Sequence, residues 1–580
     1  MLRFNIQKAA LPKPFLMISI CLLMAINSKS QSLDWVKTWG NDYSEYSSSM
    51  IVSKSGNIYV SGYFMDSMDM DPGQAVHQLK SNGGYDMFIA RFDHIGNFNW
   101  AINIGGGQDD FTSGNIALDA FGNVYVCGGL SETTDFKPGA DSLVFKPFQY
   151  SSSAFIAKYD TSGAFQWVKM FEHPEGYIIG NRVMVDAENN IVGTGFFQGN
   201  IDFDPTLNVD TVNCGIFMSC YVVKLNAGGD RLWAKQFQST YWATTSSMFL
   251  DENSNIYLTG TFYDSLDCDP GNGVYKLAAA GKTDIFGIKL SKNGELIWAK
   301  RLGGKGEDGI ESVKTDQAGN IYFAGYFEDT ADFDPGTGHS YLMAHMVDAF
   351  VTKLDQSGNF VWTKGVGGWG VDVGKDLEIG QNGHVYLTGY FNVVADFDPG
   401  PGVYYVTPSA RDMFLLNLDQ NGNFRWVRKF GGSATGSCQT QSMVLQKNGH
   451  LVMMGTFLNY IDVDPSPLIR NIASMGGNDL FLLSLNTQVA DKKVLKEISG
   501  FSVLPNPSQG LVKIEGINSS EIQKLEIIDP TGKVCESHHY KVTLSNNSIE
   551  LDLSNNQGGL YILNIKTKDK EYYKKLILTQ

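Results

Sequence analysis

The 580-residue chain carries 45 Lys and Arg against 61 Asp and Glu. Its formal charge of -16 is dispersed, with no basic stripe of the kind phosphate binding needs, which argues against nucleic acid as a partner. Aromatic residues at 12% and 63 glycines suit strands joined by tight turns, and the length exceeds what one hydrophobic core serves.

The first thirty residues read as an export signal. Arg3, Lys8 and Lys13 precede an apolar run from Phe15 to Ile26, and Ser28 and Ser30 lie just before Gln31, so cleavage is expected after Ser30. The run is 12 residues, against the ~20 that a membrane-spanning helix requires, and no later segment is apolar enough to span.

From there one wording returns seven times: GNIYVSGYF, GNVYVCGGL, NNIVGTGFF, SNIYLTGTF, GNIYFAGYF, GHVYLTGYF and GHLVMMGTF. Its glycines are Gly62, Gly128, Gly195, Gly260, Gly325, Gly389 and Gly455, a period of about 65 residues, as expected of stacked supersecondary units. Each unit holds four alternating apolar segments; in the fifth they are 310–315, 321–327, 349–354 and 360–364. D-x-x-G turns (Asp316 to Gly319, Asp355 to Gly358) join the first segment to the second and the third to the fourth. Four antiparallel strands per unit, seven times over, predict a seven-bladed β-propeller.

The last strand of each unit carries a Trp that is expected to be buried: Trp100, Trp167, Trp233, Trp298, Trp362 and Trp426. The seventh unit ends at Asp479 to Asn486 with no Trp strand after it, while LDWVKTWG places Trp35 ahead of the first unit. The N-terminal strand is therefore expected to complete the last blade and close the ring, removing two open sheet edges. The wording RLGGKGEDGIESVKTDQAGNIYFAGYF (301–327) resembles the SBBP family of propeller repeats from secreted bacterial proteins. That resemblance covers about residues 33–487 and implies a fold, not an activity.

Units of this length hold roughly twenty residues more than a ~45-residue propeller repeat. The surplus follows the second strand and opens with a second repeated word, seven residues after the strand glycine. Its aspartates are Asp69 and Asp71, Asp202 and Asp204, Asp267 and Asp269, Asp332 and Asp334, Asp396 and Asp398, and Asp462 and Asp464; the second unit has Asp135 and Lys137. All seven insertions are expected on one rim beside Gly-rich crossings such as 105–110 and 303–308, and loops on a rigid scaffold are where binding usually lives.

Alternating carboxylates before a Pro-Gly turn are calcium candidates, yet two aspartates supply at most four of the six to eight oxygens needed, so residues such as Asp308 would have to contribute. In the other reading, Asp caps the turn through its amides, with Lys137 paired to Asp135. No G-x-S-x-G elbow, H-E-x-x-H pair or P-loop is present, and no enzyme is expected. His384 and His450 are read as exposed turn residues; Tyr63, Phe196, Tyr326 and Tyr390 are read as strand packing. Cys214 and Cys220 could pair or stay free.

After a linker at 488–499, residues 500–580 change pattern to short strands between Asn, Pro and Gly turns, predicting a small Ig-like β-sandwich. Pro505, Asn506, Pro507 and Gly510, then Asp529, Gly532 and Lys533, then Gly559, Tyr561, Lys574 and Lys575 resemble the type A C-terminal sorting domain of type IX secretion. The resemblance implies a Bacteroidetes-type source, handling by the type IX machinery, and removal of this domain on release or surface attachment. The expectation is thus a signal peptide at 1–30, a propeller at 31–487 and a sorting domain at 500–580. The body would be a monomeric surface or secreted binding or adhesion module for a glycan or surface protein. A glycan-active hydrolase or lyase with carboxylates on the insertion face is the alternative.

Overall fold

The computed structural model describes residues 31–487 except 108–113, 138–140, 149–150, 206–210, 433–434 and 466–468. Of the C-terminal part it describes 502–504, 508–515, 522–528, 535, 541–545, 548–556, 559–567 and 571–578. Every regular element among these residues is a β-strand. The chain divides into two compact units, one spanning Ser30–Gln488 and the other holding Val489–Gln580.

In the larger unit each of the first six repeats forms four strands paired antiparallel in chain order, and the seventh forms three. In unit 5 these are Gly309–Thr315, Ile321–Asp332, Tyr341–Leu354 and Phe360–Gly368. The D-x-x-G turns form for the reason their composition suggests. The Asp316 carboxylate accepts the amides of Ala318 and Asn320, and Gly319 takes φ 78°, which a side chain would resist.

The second and third strands run past the expected ends. Much of each insertion is a continuation of this hairpin, kinked in unit 5 at Asp329 with φ 55°. The continuation folds onto the end of the preceding unit's fourth strand. Gly105 and Gly106 pair with Asp135 and Thr134, Gly303 and Gly304 with Asp332 and Ala331, Gly367 and Gly368 with Asp396 and Ala395, and Gly431 and Gly432 with Asp462 and Ile461. Bridges from Glu172 to Asp202 and from Ser239 to Leu266 do the same in units 3 and 4.

The N-terminal strand Ser32–Trp39 adds to the sheet of unit 7, with Trp35 opposite Ser484 and Trp39 opposite Leu480. Trp39 is 2% exposed and packs with Phe92 of unit 1 and Met454, Leu480 and Leu482 of unit 7. Just beyond it, Asn41 donates to the carbonyls of Met65 and Ser67 in the insertion of unit 1.

The repeated Trp is half-buried, not engulfed as expected, because it lies at the outer edge of its sheet and spends one face on the next unit. Trp35 packs over Gly96, where a β-carbon would come within 2.9 Å of the indole, and Trp100 packs over Gly163 in the same way. The Trp100 indole N–H donates to Thr161 O at 3.0 Å, and Trp362 donates to Gln420 O at 3.3 Å.

The smaller unit has two sheets. Strands Ser502–Leu504, Leu511–Glu515, Ser548–Asp552 and Lys541–Ser545 form one, and Ile522–Ile528, Gly559–Thr567 and Glu571–Leu578 the other. They share one core that includes Val512, Ile514, Ile549, Tyr561, Leu563 and Leu576.

Candidate functional site

The first strands of the seven units touch in cyclic order, the last against the first. Together they line one cavity of about 380 Å³. In six of them the ladder shifts at the same place, between Ser47 and Ser49, Gly180 and Arg182, Thr245 and Ser247, Ile310 and Ser312, Gly374 and Asp376, and Thr440 and Ser442. Such irregularities re-aim side chains, here toward the cavity.

The residues after the shift occupy corresponding places, and they are unequal: Ser49, Asn115, Arg182, Ser247, Ser312, Asp376 and Ser442. Charge concentrates on units 5 and 6. Lys314 Nζ meets Glu378 Oε1 at 2.8 Å, and Lys375 Nζ meets Glu311 Oε2 at 2.8 Å. Asp376 accepts the Ser312 hydroxyl and the amide of Met443, both at 2.8 Å. Desolvation alone would lower Lys314, but Glu378 and Asp376 outweigh it and hold the ammonium charged. Arg182, from unit 3, donates to Asn181 O at 3.3 Å and has no carboxylate within ion-pair distance among the described residues.

None of these six charged residues stood out in the sequence, because the strand-two wording dominates the repeat. Aligning the first strands would have exposed Arg182, Glu311, Lys314, Lys375, Asp376 and Glu378 where neighbouring units carry Ser, Asn or apolar residues.

On the insertion rim the D-x-D-P aspartates bond to their own turns. Asp69 Oδ1 accepts the amides of Asp71 and His77, Asp267 those of Asp269 and Tyr275, Asp396 those of Asp398 and Tyr404, and Asp462 those of Asp464 and Arg470. Asp202 takes the amide of Asp204. Asp332 also receives the His339 ring at 2.6 Å; burial would raise its carboxyl, but the Ser340 amide, His339 and the Asp334 amide hold it low. The second aspartates Asp71, Asp269, Asp334 and Asp398 accept the amide of the turn glycine two residues on. Lys137 does not pair with Asp135; it reaches the exposed Asp141 at 3.7 Å, while Asp135 accepts the amides of Lys137 and Leu143. Among the described residues no group of three or more His, Cys, Asp or Glu is placed to hold a metal ion.

Beneath this rim lie close carboxyl pairs that the sequence did not suggest. Asp308 accepts the amides of Gly304 and Glu328 and faces Asp284. Asp372 faces Asp348, and Glu45 faces Asp479 across the junction of units 7 and 1. One oxygen on each of Asp284, Asp348, Asp372, Glu45 and Asp479 is buried without a partner. Burial pushes Asp308, Asp348 and Asp372 up to about 7, Glu45 to about 8 and Asp479 to about 6, with the facing acid adding to the rise for Asp308, Asp372 and Glu45. Room for the pairs comes from glycine: a β-carbon on Gly40 would come within 2.5 Å of Asp479 Oδ1 and 2.7 Å of Glu45 Oε2.

His450 is no exposed turn residue. Its ring meets Asp34 of the N-terminal strand at 2.6 Å, and His384 is half-buried against Arg425 and Asn382. Tyr63 is buried, Phe196 lies against Tyr177, and Tyr390 lies under the Arg411 guanidinium at 4.2 Å. Cys214 and Cys220 are free thiols; the first bonds backbone carbonyls, and the second is buried beside Cys268.

In the smaller unit, Gly510 takes φ 115° at a turn and Tyr561 is 3% exposed in the core. Gly559, Lys574 and Lys575 lie on strands. Residues 1–30, Pro505, Asn506, Pro507, Asp529, Gly532 and Lys533 lie outside the described residues. No helix among the described residues is long and apolar enough to cross a membrane.

Set beside known proteins, the chain is 22% identical over 509 residues to an uncharacterized WD repeat-containing protein of Acanthamoeba polyphaga mimivirus, covering 74% of this chain and 36% of that one. It is 24% identical over 295 residues to a regulatory protein, FlaEY, of Caulobacter vibrioides, covering 47% and 30%. It thus spans about a third of the length of these relatives. The crystal structure of a protein of unknown function from Dyadobacter fermentans covers 79% of this chain and 99% of its own, at 10% identity and a TM-score of 0.35. Residues 502–579 match the secretion system C-terminal sorting domain. That match marks the chain as an exported protein, carried by type IX secretion to the cell surface or the extracellular space.

Proposed function

We propose that residues 31–487 form a closed seven-bladed β-propeller of the SBBP repeat kind that works outside the cell as a binding or adhesion module. The observation that carries this reading is the cyclic contact of the seven first strands around one cavity, with the Trp35 strand paired into the last sheet. Four-stranded sheets repeated about a central channel are the propeller plan, and the WD-repeat relative points the same way. A rigid body with its insertions clipped to neighbouring units suits presentation of a fixed surface better than a moving lid.

The D-x-D-P aspartates are proposed as turn formers, since their oxygens already accept loop amides. A glycan-cleaving enzyme would need two carboxyls at a spacing open to a sugar, whereas the facing pairs here are buried at the crossings. The test is a glycan array probed with the exported protein, with calcium and with chelator. Saturable binding of a defined glycan class that proceeds without cleavage is expected; turnover of any bound glycan would replace this reading with the enzymatic one.

A further inference from the structure

Resting on the reading of the body as a binding module, we propose that the channel is a site for a small organic carboxylate of monosaccharide size, anchored by Arg182. Three neighbouring units converge there. Arg182 of unit 3 and Ser247 of unit 4 hold matching places on the cavity wall, and Lys314 of unit 5 lies two residues further along its strand. The Arg182 charge opposes that of Lys314.

An arginine on a cavity wall without a carboxylate partner is stabilised by an anion beside it. The three carboxylates on the cavity wall, Glu311, Asp376 and Glu378, have partners other than Arg182. Glu378 and Asp376 serve Lys314, Ser312 and the Met443 amide, and Glu311 serves Lys375. Arg182 spends one donor on a backbone carbonyl and keeps the rest of its fork, whose planar geometry matches a carboxylate. The Ser247 hydroxyl has no partner among the described residues, and it sits between the two cations in the order of the units.

Size and lining narrow the class. A cavity of about 380 Å³ is at the small end of ligand sites. Two positions further along the same strands, Met184 and Phe249 present apolar surface, which suits a ligand with a charged head and a ring-sized body.

The experiment titrates the full exported protein with D-glucuronate, its neutral counterpart D-glucose, and sodium acetate, reading heat of binding and melting temperature. Glucuronate is expected to bind at least tenfold tighter than glucose, with acetate competing weakly. Arg182→Gln should lose at least tenfold of the glucuronate affinity, and Ser247→Ala, which removes one hydroxyl and no charge, several-fold. Equal affinity for glucose and glucuronate, absence of glucuronate binding, or full binding by Ser247→Ala and Arg182→Gln overturns the site. Acetate binding as tightly as glucuronate would also overturn it, since the channel would then select charge without size. A positive glycan array alongside any of these failures leaves the binding-module reading standing and removes only the channel assignment.

Discussion

On the insertion rim the first aspartate of every insertion turn, from Asp69 to Asp462, accepts the amide two residues on, whereas the matching places on the channel wall read Ser, Asn, Arg, Ser, Ser, Asp and Ser. Sevenfold sameness at the rim fits a structural task that every unit must perform: holding its insertion against its neighbour. Inequality in the channel fits recognition, because a ligand smaller than the ring cannot touch seven identical walls at once.

The strongest way to break the comparison is to remove one clasp entirely. Deleting residues 33–40 takes away the edge strand of unit 7, the buried Trp39, the Trp35 contact with Gly96 and the Asp34 partner of His450. Losing a buried Trp side chain alone costs about 3–5 kcal/mol, a large fraction of a domain's net stability. The deletion is expected to abolish a single cooperative melt and to shift the protein to aggregates on size exclusion. Wild-type melting by the deleted protein would mean that the periphery does not depend on this strand.

A smaller effect separates the buried carboxyl pairs from the turn aspartates. Asp308, Asp348 and Asp372 near 7, Glu45 near 8 and Asp479 near 6 all bind protons more tightly folded than unfolded. Their contribution is therefore complete below about pH 4, falls steadily as pH rises above that and is gone once pH passes the folded values. The turn aspartates Asp316, Asp332 and Asp419 are shifted down, so their contribution is present above about pH 4 and is lost below it. Stability should peak at about pH 4. The unfolding free energy from urea titration should be lower at pH 8.5 by an amount of order a few kcal/mol, since each tenfold change in proton affinity is worth about 1.4 kcal/mol. Because each pair titrates together, Asp372→Asn should flatten the alkaline limb and leave the acid limb unchanged. An unaltered alkaline limb in that variant would show that the Asp348 and Asp372 pair holds no proton at neutral pH.

Much of the rim was legible because its causes are local. Asp and Gly at fixed offsets dictate their turns, and counting Trp strands points to the N-terminal segment as the partner of Asp479–Asn486. The carboxyl pairs were not legible, since Asp348 and Asp372 are 24 residues apart in the chain, and Gly367, whose missing β-carbon leaves room for the Asp348 carboxyl, does not announce that task in the sequence. The channel was missed for a different reason. Its charges lie on strands whose apolar residues are less uniform than the strand-two wording, so Arg182 and Lys314 look like ordinary solvent-facing positions until the first strands are brought together. The half-buried state of the Trp also needed the neighbouring unit, because composition does not say which face of an indole a second sheet will cover.

The smallest expected effect tests the sameness of the rim itself. Asp396 Oδ1 accepts the amides of Asp398 at 3.0 Å and Tyr404 at 2.7 Å, while Asp398 accepts only that of Gly400, at 2.9 Å. Removing an acceptor from half-buried amides costs about 1 kcal/mol each, less where water reaches them, so Asp396→Ala should cost about 1–2 kcal/mol and Asp398→Ala below about 1. Asp332→Ala should exceed Asp396→Ala slightly, because it also gives up the His339 contact. If the aspartates act as turn formers, these differences persist unchanged in calcium and in chelator. A melting temperature that calcium raises in the parent protein and fails to raise in Asp396→Ala would instead make the rim a set of cation sites, and its uniformity a matter of binding after all.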